Sequence, residues 1–88
     1  MKTRRLALGD RNLIGARVTE LRKAHGMKQV ELLARLQIRG VDMSVPALSL
    51  LEGQKRPVSD VELNALADIF SVSADRLLGR ESSAPVSQ

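Results

Sequence analysis

Three serines constrain this chain more than any other feature. Ser44, Ser59 and Ser73 each follow an apolar residue (Met43, Val58, Val72) and each stand four positions before another (Leu48, Leu63, Leu77). A serine at such a position accepts from the free N–H groups of a helix's first turn. The flanking apolar pair closes over it as a hydrophobic staple. Glu62 stands three residues after Ser59 and completes a capping box. Three helix starts packed this closely leave room only for short helices, and no strand pattern competes with them.

The 3.6-residue period fills in the rest. Ile14, Val18 and Leu21 fall on one face of a first helix, predicted over Arg11 to His25 and stopped at Gly26. Leu32, Leu33 and Leu36 mark a second, Lys28 to Ile38, ending at Gly40. Leu48 and Leu51 belong to a third, and Leu63, Leu66, Ala67 and Phe70 to a fourth. Leu77 and Leu78 close a short fifth helix before Gly79. The expected fold is therefore all-α: one compact five-helix domain over residues 12–79. Residues 1–11 read as a basic arm. Residues 80–88, polar and proline-containing, are expected to form a disordered tail.

Eighty-eight residues allow one domain. With no cysteine, neither disulfides nor thiolate metal sites can hold it together, and no metal or cofactor is expected. No apolar run approaches the roughly 18 residues of a membrane span, and the N-terminal apolar stretch is too short for a secretory signal. The expectation is a cytoplasmic protein. Catalysis has little to build on, since His25 is the only histidine, and no enzyme is expected. Phe70 is the only aromatic residue, which argues against the base-stacking sites of single-stranded nucleic-acid binders. The charge is uneven. Residues 1–56 hold twelve Lys and Arg against five Asp and Glu, residues 57–88 hold two against five, and the net is +4. A basic half beside an acidic half suits a polyanionic partner.

From Ile14 to Gly79 the chain resembles the Cro/cI-repressor family, the xenobiotic-response-element group of bacterial and phage helix-turn-helix regulators. The matching pieces are Leu21-Arg22-Lys23, Gly26-Met27-Lys28-Gln29, Leu51-Glu52, Lys55-Arg56-Pro57 and Leu66-Ala67. The run from Phe70 through Ser71-Val72-Ser73-Ala74-Asp75-Arg76-Leu77-Leu78 to Gly79 completes them. The resemblance implies a lambda-repressor-like domain with its helix-turn-helix at helices 2 and 3, binding double-stranded DNA as a homodimer and acting as a transcriptional repressor. Helix 3 would enter the major groove, with Ser44, Val45, Pro46, Ala47, Ser49 and Leu50 facing the bases. Lys28, Gln29, Arg39, Lys55 and Arg56 would meet the phosphate backbone. Arg22 and Glu52 would form a structural ion pair between helices 1 and 3.

Three features depart from the family pattern. Gln37 through Met43 make a long connection between Leu36 and Ser44. Leu33 stands where the family prefers alanine. The base-reading positions are mostly apolar, and only Ser44 and Ser49 among them can hydrogen-bond. Val45, Ala47 and Leu50 suit thymine methyl groups, but an exposed apolar stripe equally suits a protein partner. The alternative expectation is therefore a protein-interaction or antitoxin-like adapter using helix 3.

Overall fold

The computed structural model describes residues 10–80, and their order of elements is α1 (Gly15–Ala24), α2 (Gln29–Ile38), α3 (Val45–Glu52), α4 (Asp60–Phe70) and α5 (Ala74–Leu78). No strand occurs among the described residues. The expectations for the basic arm and the tail fall mainly on residues 1–9 and 81–88, outside that range.

All three serine caps form. Ser44 Oγ accepts from the N–H of Ala47 at 3.2 Å, Ser59 Oγ from Glu62 at 3.1 Å, and Ser73 Oγ from Arg76 at 3.0 Å. The Glu62 carboxylate reaches back to accept from the Ser59 N–H at 3.0 Å, closing the box. Met43, Val58 and Val72 are half-buried against the core, as staples require.

Helix 1 corrects the sequence reading. It begins at Gly15, four residues later than the apolar spacing predicts. The reason is Asn12, whose side-chain oxygen accepts from the N–H groups of Ile14 (3.0 Å) and Gly15 (2.8 Å). An asparagine that bonds the backbone two and three residues on forms a turn and fixes the helix start behind it. Helix 2 likewise begins at Gln29, with Lys28 left as the extended cap residue.

The core is made chiefly of leucine. Leu32, Leu36, Leu48, Leu51, Leu66, Leu77 and Val18 are fully buried, and Phe70 joins them. Burial of each such side chain contributes about 1.5–3 kcal/mol. α1 packs on α3 and α4, α2 on α3 and α4, and α5 on α4. The long connection between α2 and α3 is pinned rather than loose. Val41 is buried in the core and donates its N–H to the Leu36 carbonyl at 2.9 Å. Leu33 fits half-buried against the same core.

Candidate nucleic-acid interface

The third helix presents its outer side to solvent because Leu48 and Leu51 fix its inner one. Ser44, Val45, Pro46, Ser49 and Leu50 are exposed, while Ala47 is half-buried. Val45 and Leu50 expose 41% and 46% of their surface, which gives this face an apolar character. The hydrogen-bonding capacity of this face is small. Ser44 Oγ already accepts as a cap and Ser49 Oγ accepts from Gln29, so each hydroxyl keeps its O–H to donate and one lone pair to accept.

The start of α2 lies over the middle of α3. Gln29 donates its side-chain amide to Ser49 Oγ at 3.3 Å and to the Glu52 carboxylate at 3.1 Å. That carboxylate is also held from α1, where Arg22 grips it with two bonds, Nε to Oε2 at 2.7 Å and Nη2 to Oε1 at 3.1 Å. The remaining nitrogen of Arg22 donates to the Met27 carbonyl at 2.9 Å. Only 12% and 8% of the Arg22 and Glu52 side chains are exposed. One carboxylate thus joins α1, α2 and α3, and its charge is balanced by a planar guanidinium in bidentate geometry.

The cations expected at phosphates divide into two groups. Lys28 and Lys55 are exposed and have no ion-pair partner among the described residues. Lys28 opens α2, where its N–H donates to the Glu31 carboxylate at 2.6 Å. Lys55 stands one turn past α3, its N–H donating to the Leu50 carbonyl at 2.8 Å. Arg56 and Arg39 are engaged elsewhere. Arg56 pairs with Glu62 of α4 at 3.2 Å, and Arg39 pairs with Asp68 of α4 at 2.7 Å. The structure therefore joins Gln29 to Ser49 of α3, leaves Lys28 and Lys55 exposed at the start of α2 and past the end of α3, and turns both arginines toward α4.

Sequence reasoning missed the two residues that hold Lys55's segment in place. Asn12 donates its amide to the carbonyls of Leu51 (3.0 Å) and Arg56 (2.9 Å). Gln54 donates to the Asn12 carbonyl at 3.0 Å and adopts φ of 62°, the left-handed region that non-glycine residues seldom enter. The Arg11 N–H donates to the Gln54 carbonyl at 2.9 Å. Asn12 carries a capping signal legible in sequence. Its partners, about forty residues away, carry none.

His25, the only histidine, is the C-terminal cap residue of α1. Its Nδ1 lies 2.8 Å from the Leu21 carbonyl and its ring sits 5.4 Å from that of Phe70. No group of three or more metal-ligating side chains occurs among the described residues, and none of their helices is long and apolar enough to cross a membrane. Among protein-family models, curated proteins and solved structures, none matches this chain.

Proposed function

We propose that this chain is a transcriptional regulator of the Cro/cI-repressor type, acting in the cytoplasm as a homodimer on double-stranded DNA. In this reading α2 and α3 are the helix-turn-helix, and α3 lies in the major groove. The observation that carries it is the Gln29 amide bonded to Ser49 and Glu52. It ties the N-terminus of α2 to the exposed side of α3, so that a duplex lying on α3 has its backbone beside α2. A helix N-terminus favours phosphate through its free N–H groups and positive dipole end. Lys28 and Lys55, exposed at the start of α2 and just past α3, would add sequence-independent affinity. Val45 and Leu50 would contact thymine methyl groups, and Ser44 and Ser49 would donate to base or phosphate oxygens.

The exposure of Val45 and Leu50 also favours a second reading, in which α3 docks on another protein. One experiment separates the two. Binding to the duplex upstream of the protein's own coding region is measured over a range of salt, for the wild type and for Leu50→Glu and Lys55→Ala. DNA recognition gives a protected site and affinity that falls steeply with salt. Leu50→Glu should abolish it, and Lys55→Ala should weaken binding to all sequences alike. Absence of any duplex affinity at low salt, with a protein complex broken by Leu50→Glu, overturns this reading in favour of the second.

A further inference from the structure

A second exposed apolar surface lies away from α3. A groove of about 290 Å³ runs between the lead-in to α1, with Arg11 and Leu13, and the entry to α4, with Asp60; Leu63 and Leu78 also line it. Through Asp60 and Leu63 it continues into a depression of about 470 Å³ beside Val61. Leu13 is 67% exposed and Val61 62% exposed. Two large aliphatic side chains left in water along one continuous groove mark an interaction surface better than scattered single residues do.

The charges along the groove say what fits it. Arg11 stands on one side and Asp60 on the other. Neither has an ion-pair partner among the described residues. An acidic segment laid in the groove would satisfy Arg11 and be repelled by Asp60, and a basic segment would do the reverse. A second copy of the same chain satisfies both. In an isologous contact a two-fold axis brings residue i of one copy to residue j of the other and j to i. A two-fold axis running along the groove would set each Arg11 against the other copy's Asp60, and the contact would cover the exposed Leu13 and Val61.

We propose that this groove is the surface through which two copies of the chain associate. The proposal rests on the homodimer of the reading above and adds where it forms. None of the exposed residues of α3 lines the groove, so both copies would keep that face uncovered.

Sedimentation of the full chain in the absence of DNA tests this, with circular dichroism confirming that each variant is folded. The wild type is expected to sediment as a dimer. Leu13→Glu and Val61→Glu should each weaken association by about tenfold or more, because each buries an unpaired charge in the contact. Arg11→Asp alone and Asp60→Arg alone should weaken it, and the two together should restore it. Ile38→Glu, on the exposed side of α2, should leave the dimer intact. A monomeric wild type overturns both the homodimer and this surface. A dimer that survives Leu13→Glu and Val61→Glu overturns the surface alone, as it would if a terminal segment of the same chain filled the groove. Because no DNA is present, neither outcome is confounded with a failure of duplex binding.

Discussion

Gln29 and Arg22 donate to the same oxygen of Glu52, each at 3.1 Å. The residue that opens α2 and a residue of α1 thereby share one anchor at the end of α3. That carboxylate is bonded from both α1 and α2. Both hydrogens of the Gln29 amide are thereby committed, to Ser49 Oγ and to Glu52, so in the proposed complex a phosphate beside α2 would be met by the main-chain N–H groups of its first turn rather than by this side chain.

Removing one member of this cluster should cost far more than removing the ion pair as a unit. Arg22→Met leaves a largely buried carboxylate without its counter-charge, and chemical denaturation should show a loss of about 3–5 kcal/mol. The double variant Arg22→Met/Glu52→Leu should recover most of that loss. A double variant no more stable than Arg22→Met would mean that the pair itself, rather than the stranded charge, sets the energy.

Gly15 should tolerate no side chain. A Cβ placed there would collide with the Leu51 carbonyl oxygen and come within 2.8 Å of that of Glu52. These are main-chain atoms at the end of a helix and cannot swing aside. Gly15→Ala should therefore destabilise by about 1–3 kcal/mol, as overpacked contacts do, even though alanine favours helix. An unchanged or raised midpoint in thermal unfolding would refute the close approach of α1 to α3.

Asn12 separates into two roles that substitution can distinguish. Its side-chain oxygen caps α1, and its amide nitrogen holds the carbonyls of Leu51 and Arg56. Asn12→Ala loses both and should cost about 1–3 kcal/mol. Asn12→Asp keeps the capping oxygen but turns a second oxygen toward two carbonyls. Its unfolding midpoint should fall below that of the wild type, with the amide of Gly15 remaining protected in hydrogen exchange. Loss of that protection would show that the cap depends on the donor side.

Lys55 and Arg56 are neighbours of like charge whose substitutions should behave differently. Lys55→Ala touches no ion pair and should change stability by less than about 0.5 kcal/mol, while lowering the salt dependence of duplex binding by about one unit of slope. Arg56→Ala removes the partner of Glu62, the residue that also closes the α4 capping box, so its unfolding midpoint should drop as well. Equal midpoints for the two variants would count against the Arg56–Glu62 pair.

The parts of this fold that were legible in the sequence are the ones made by neighbours. Ser44, Ser59 and Ser73 cap helices whose first turns lie within four residues of them, and the 3.6-residue period located the core leucines for the same reason. The start of α1 was not legible from apolar spacing, because Asn12 overrides it through a local turn. The candidate face was legible in part. Spacing and resemblance named the residues of α3 together with Gln29 and Lys55, but not the engagement of Arg39 by Asp68 or of Arg56 by Glu62. Those pairs depend on how α4 comes to rest against the rest of the domain, which no local pattern records. Ser71 is a further instance: it ends α4 in a left-handed conformation with φ of 56°, where sequence rules would look for glycine.

The clasp that Asn12 makes with residues 51–56 has a consequence for how the molecule comes to be. Its bonds span 39 and 44 positions of sequence, so the segment bearing Lys55 cannot settle until two distant stretches meet, and the helices, too short to persist alone, consolidate with that meeting. During synthesis Asn12 leaves the ribosome first and waits for its partners. Closing that loop costs entropy before any bond repays it. The exit from α3, at the edge of the face proposed to meet DNA, should therefore order only when that loop closes, and its amides should exchange with those of the Asn12 turn rather than with α3 alone.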